Sequence, residues 1–176
     1  MLVWINGPFG GGKTQTAYEI HRRLPGSVVC DPEHVGFGLH RMTPPRLRGD
    51  FQEIIGRLGE RGHKVRHFAL LAERETVLRR LRERGFGHAV AFVAGKDAPL
   101  RRESFAVSKL DRCLERLSRP EFAVHVWTDR LTVPQVAESA ESIAGSVGLL
   151  LTPNTDGALR EQLRRAWTGI RHIRFG

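Results

Sequence analysis

Near the start of the chain, Gly7-Pro8-Phe9-Gly10-Gly11-Gly12-Lys13-Thr14 satisfies the pattern G-x-x-x-x-G-K-S/T. Gly7, Gly10, Gly11 and Gly12 let a backbone turn tightly enough to aim successive N–H groups at phosphate oxygens, and a helix opening at Lys13 adds its positive end to the same spot. Lys13 then reaches the β- and γ-phosphates of a nucleotide. The Thr14 hydroxyl is a hard oxygen donor suited to magnesium, which keeps several waters beside the nucleotide oxygens. The implied ligand is a nucleoside triphosphate with Mg2+.

Such a loop works only between a strand and a helix, and the flanking residues supply both. Leu2-Val3-Trp4-Ile5 reads as a strand, and Ala17, Ile20 and Leu24 give Thr14 to Leu24 a helical spacing that Pro25-Gly26 ends. Ser27-Val28-Val29-Cys30 reads as a second strand closing in Asp31-Pro32-Glu33, which sets carboxylates at the strand edge where open α/β sheets bind ligands. Phe51, Ile54, Ile55 and Leu58 share one face of a helix ending near Gly62, and Val65 to Leu71 forms the next strand. A basic helix, Glu73 to Arg84, buries Val77, Leu78 and Leu81. Residues 85–103, with Gly87, Gly95 and Pro99, are irregular enough to work as a lid. Ser104 to Leu117 forms a helix facing inward through Leu110, Cys113, Leu114 and Leu117, Phe122 to Trp127 is the last strand, and Thr128-Asp129 closes it. A helix from Val133 to Val147 and a basic amphipathic helix over 157–173 complete the chain. Strand and helix alternate throughout. The expectation is a single α/β domain over 1–176, a P-loop NTPase-type parallel, doubly wound sheet with helices on both faces and a lid segment.

Composition narrows the function. At 176 residues and 40% hydrophobic content the chain suits one domain with a full core. It has no apolar run long enough to span a membrane and no signal-peptide pattern. Cys30 and Cys113 lack metal-ligand spacing, and none of the eight histidines is assigned to a metal, so a reducing cytoplasm fits best. The net charge is +9 and the pI about 10.9, with 24 of the 28 basic residues arginine. No nucleic-acid-binding motif accompanies that charge. Arginines gathered around phosphates account for part of it, and nucleic acid is not expected as a partner. In the last helix Leu159, Leu163, Ala166, Trp167 and Ile170 line one face beside Arg160, Arg164, Arg165, Arg171 and Arg174. The leading reading packs that stripe on the domain, and the second lays it weakly on an anionic membrane surface.

Four patches together resemble a known family: the glycine loop with Gln15-Thr16-Ala17, the Asp31-Pro32-Glu33 turn, Asp111-Arg112-Cys113 and His172-Ile173-Arg174. They resemble the tunicamycin-resistance ATP-binding proteins, which belong with the small-molecule P-loop kinases acting on shikimate, gluconate and nucleoside monophosphates. The resemblance runs along almost the whole chain. It implies Mg-ATP, and protection against a nucleoside antibiotic either by phosphorylating it or by binding it without chemistry. By the same resemblance Asp31 contacts the acceptor hydroxyl or acts as general base, although an aspartate there also suits a turn or helix cap. Arg84 points at the phosphates, and Arg101 and Arg102 close from the end of the lid, as phosphoryl transfer requires. Arg112 has the same option from its helix, and the Asp129-Arg130-Leu131-Thr132 loop passes the adenine. These kinases carry two helices and a strand where Pro44 to His63 leaves room for one helix, so a strand-helix unit is expected to be absent around Arg48 to Gln52. A nucleotide switch is disfavoured, since the nearest run ending in aspartate, Phe122 to Asp129, comes late. Neither the acceptor nor the oligomeric state follows from the sequence.

Overall fold

In Leu2–Asn6 (β1) branched and aromatic residues favour an extended chain. The computed structural model describes residues 1–30, 57–84, 92, 95, 98–122, 124–145 and 148–171. Within them, β1, Val65–Leu71 (β2) and His125–Trp127 (β3) form a parallel sheet in the order β1-β2-β3. Leu2 pairs with Val65 and Asn6 with Ala69, while Ala69 also pairs with His125. Phe68, Ala69, Leu70 and Leu71 of the central strand are all buried, giving the unbroken apolar run of a strand covered on both faces.

Helices flank this sheet. On one face Phe68, Leu70 and Val126 meet Ile20 of Lys13–Arg23 (α1) and Val136, Ala137, Ala140 and Ala144 of a later helix, Val133–Ala144 (α5). The alanines recur at helical spacing, and their small size lets α5 approach closely. Thr132 and Gln135 form a capping box that fixes where α5 begins. On the other face Ala69 and Leu71 pack on Leu117 of Ser104–Leu117 (α4) and on Phe122. Ala72, just after β2, and Val77, Leu78 and Leu81 of Arg74–Glu83 (α2) join Ala106 and Leu110 of α4 in a further cluster, with Leu100 of Ala98–Arg102 (α3) packed against it. The last helix is Ala158–Arg171 (α6).

Several expectations change. Ser27 to Cys30 is not a strand: Gly26 turns at φ 80°, Ser27 N–H bonds back to the Leu24 carbonyl, and Val28 is left 88% exposed. Valines favour β structure only where a ladder and a buried face await them. The last strand is His125–Trp127 rather than Phe122 to Trp127, because Pro120–Phe122 takes a 3-10 turn in which Phe122 N–H bonds the Arg119 carbonyl. The lid span is not wholly irregular, since α3 lies in it. In the expected helix ending near Gly62, residues 57–60 are helical and Gly62 turns at φ 79°. Residues 51–56, Asp31-Pro32-Glu33 and the Arg48 to Gln52 region lie outside the described residues. Among the described residues no helix is long and apolar enough to cross a membrane.

Two polar sites inside this frame carry measurable consequences. Arg23, 3% exposed, donates through Nε to the Thr152 carbonyl at 2.7 Å and through Nη1 to Glu138 Oε1 at 3.1 Å, tying α1 to α5 and to the strap beyond it. Arg23→Ala leaves that carbonyl without its donor, and is expected to lower unfolding stability by about 2 kcal/mol in urea titration. On the α4 face, Trp4 Nε1 donates to Asn6 Oδ1 at 3.1 Å, which turns the Asn6 amide nitrogen toward His67 Nε2 at 3.2 Å. His67 then accepts and is neutral. Burial, and secondarily the charge of His125, lower its pKa to about 4 from 6.5. The unfolded chain therefore binds the extra proton first, so stability is full above pH 6.5 and is lost as pH falls toward 4. His67→Leu is expected to flatten melting temperature against pH across that window.

Candidate functional site

The glycine loop follows β1 directly and turns into α1. Pro8 is buried, and its carbonyl accepts Gly11 N–H at 3.0 Å, closing the first turn. At Gly11 a β-carbon would stand 2.9 Å from that same carbonyl oxygen. Gly10 turns at φ 75°, where a side chain would also meet Leu81 of α2 at 3.2 Å, so loop and α2 pack tightly only because this residue is glycine. Gly12 caps α1 at φ 92° with no side-chain bond to the first turn, and Gly7 backs onto the Leu70 carbonyl.

Lys13 spans the loop. Its Nζ donates to the Gly7 carbonyl at 2.9 Å and the Pro8 carbonyl at 3.0 Å, and lies 5.6 Å from the centre of the Phe9 ring. The ammonium is thereby held at the mouth of the α1 N-terminus, with half-buried Thr14 next along the first turn. Such an arrangement can hold an anion by charge, backbone N–H groups and helix dipole together. Among the described residues no three His, Cys, Asp or Glu side chains group closely enough to hold a metal alone. Thr14 fits magnesium only as one ligand beside oxygens that a nucleotide brings.

α4 covers one side. Phe105 meets Phe9 edge to face with ring centres 5.9 Å apart, and Cys113 lies close enough to feel the charge of Lys13. Burial raises the Cys113 pKa, partly opposed by Lys13 and then Arg116, so the thiol stays protonated and inert.

The other expected residues among the described ones lie on other elements. Arg84 follows α2 and faces Glu103, the residue before α4, at 3.7 Å. Arg101 is exposed on α3, and Arg102 ends that helix, its side chain outside the description. Arg112 is exposed on α4. Asp129 Oδ1 accepts Glu73 N–H at 2.9 Å, so its carboxylate caps the start of α2. Asp31 is outside the described residues. Sequence reasoning placed Arg80 in the basic run ending at Arg84 and preferred Arg84, but missed the structural task of Arg80: its guanidinium donates to Thr128 Oγ1 at 2.9 Å and to the Thr128 carbonyl at 2.7 Å. Its place between Val77 and Leu81, next to the buried stripe, was the available signal. It also passed over Phe9 and Phe105, whose meeting no local pattern announces.

No protein-family model matches this sequence, and no curated protein matches it. Among solved structures, the tunicamycin resistance protein of Deinococcus radiodurans is similar, with 32% identity and a TM-score of 0.56, covering 87% of this chain and 98% of that one. Likeness in both sequence and fold over nearly the whole length of that protein settles the family relation: this chain belongs to the tunicamycin-resistance proteins.

Proposed function

We propose that the chain binds Mg-ATP and confers tunicamycin resistance by phosphoryl transfer to a hydroxyl of the antibiotic or of a related small molecule, as a P-loop kinase-like enzyme of the reducing cytoplasm. The observation that carries this reading is the Lys13 amine fixed on the Gly7 and Pro8 carbonyls at the head of α1. The relative's resistance to tunicamycin supplies the acceptor class. ATP supplies the phosphoryl group, with Mg2+ shielding its charge. Lys13 neutralises the phosphate oxygens, Thr14 contributes one magnesium ligand, and Arg84, Arg101 and Arg102 carry charge that develops in transfer. Asp31 takes the proton of the acceptor hydroxyl as its oxygen bonds to phosphorus and ADP departs. Asp129 shapes the loop for the adenine by anchoring it to α2.

Sequestration without chemistry is the rival, and mass spectrometry separates the two. Incubation with Mg-ATP and tunicamycin is expected to add one phosphoryl mass to the antibiotic, with none added by Lys13→Ala. An unchanged antibiotic that co-purifies with the protein establishes sequestration.

A second reading concerns where the protein works, and α6 motivates it. Leu159 is 72% exposed, Leu163 64% and Trp167 65%, while Glu161, Arg164 and Thr168 of the same helix line a cleft with Gln15, Tyr18 and Glu19 of α1. The apolar stripe faces solvent. α6 carries four arginines against one glutamate, the charge that an anionic bilayer attracts. We therefore place the stripe weakly on an anionic membrane surface. Flotation with phosphatidylglycerol vesicles at low salt is expected to carry the protein upward, and Leu159→Ser with Leu163→Ser to abolish it. Full recovery below the vesicles refutes the contact, and a dimer in solution dissolved by the same substitutions assigns the stripe to a second copy.

A further inference from the structure

The middle of the glycine loop carries a phenylalanine, although the turn directly after it requires glycine at position 10. Phe9 stands between Pro8, which is buried, and Gly10, yet is itself 38% exposed. Its ring offers no hydrogen bond to a phosphate. What it does contact is Phe105, edge to face at 5.9 Å, and the Lys13 ammonium at 5.6 Å.

Phe105 is unusual in its own right. The buried positions of α4 are Ala106, Leu110 and Leu117, so Phe105 lies off the packed stripe, in the first turn, and remains 65% exposed. An aromatic ring left that open beside a second open ring forms a small apolar wall. The wall stands at the one place where the loop's cation sits. Lys13 marks the position of the transferable phosphate, so an acceptor presenting its hydroxyl there must lie within reach of both rings.

We infer that Phe9 and Phe105 form an acceptor subsite that takes a planar, apolar-faced ring next to the reacting hydroxyl, of the kind a nucleoside base provides. This rests on the reading of the Gly7–Thr14 loop as a nucleotide site. Rings prefer offset or edge contact with other rings, and the pair already holds an edge-to-face geometry, so an incoming base meets two rings already placed instead of ordering them. Closure of the pair by a ligand also removes water from the neighbourhood of Lys13, which strengthens its charge interactions.

Equilibrium binding to the full chain tests this with two probes, the non-hydrolysable analogue adenylyl imidodiphosphate with Mg2+, and tunicamycin in its presence. For Phe105→Ala the expected result is an affinity for the analogue within twofold of wild type and an affinity for tunicamycin about tenfold weaker. Phe105→Tyr is expected to restore tunicamycin binding to within about threefold, since a ring and its edge are returned. Equal loss of both ligands in Phe105→Ala overturns the inference and makes the pair a brace for the loop. Undiminished tunicamycin binding overturns it too, as does a wild-type protein that takes the analogue and ignores tunicamycin, which leaves the nucleotide site standing. A wild type that binds no analogue fails at the earlier step, the reading of the loop itself.

Discussion

Everything near the candidate site hangs on the carboxyl end of β2. The Leu70 carbonyl is the surface against which Gly7 packs, an added β-carbon standing 3.0 Å from its oxygen, and so helps set where the glycine loop begins. The neighbouring Leu71 carbonyl accepts both the N–H of Thr128, at 2.8 Å, and its hydroxyl, at 3.0 Å. Thr128 in turn receives Arg80 from α2, and Asp129 closes the circuit by capping α2. Loop, helix and the segment after β3 are therefore located by two adjacent backbone atoms of one buried strand. Its burial excludes water as a competitor for those carbonyls, which makes each of these bonds costly to lose.

The sequence was most legible where one physical demand acted alone. Val65–Leu71 and Ser104–Leu117 appear with the expected bounds because an unbroken apolar run and a 3.6-residue stripe admit one interpretation each. Ser27 to Cys30 was misread because Val28-Val29 states a preference that only a pairing partner could realise. The strand expected from Phe122 lost its first half to Pro120, whose ring starts a tight turn five residues before His125. At the site, the place of the glycine loop between β1 and α1 was legible, since glycines flanked by an apolar run and a helical stripe leave little else to form there. The Phe9–Phe105 contact was not, because it joins positions far apart in sequence through tertiary packing alone.

The last helix shows the limit in another form. Its period was read correctly, and its orientation in the leading reading was not. Amphipathic spacing says which residues share a face and is silent on which face turns inward. Here the decision falls to charges on other elements. Asp156 is buried among Arg22 at 3.4 Å, Arg160 at 3.3 Å and Arg164, while Arg22 also bonds Asn154 at 2.8 Å and pairs with Glu19. Three guanidinium groups around one carboxylate satisfy its oxygens and draw the polar side of α6 onto α1. The apolar stripe then has no choice but to face outward.

The same reasoning separates the arginines near the glycine loop. Arg80 is half-buried and spends its guanidinium on Thr128, so moving it away would cost two hydrogen bonds to a buried threonine. Arg84 is in a different position. Its partner Glu103 lies 3.7 Å away, and both side chains keep substantial exposure to water. An ion pair of that kind contributes about 0 to 1 kcal/mol, so releasing it costs little. Arg80 therefore has the energetics of a fixed strut and Arg84 those of a group that exchanges one anion for another. Local stability thus separates a guanidinium held as a strut from one that can change partner.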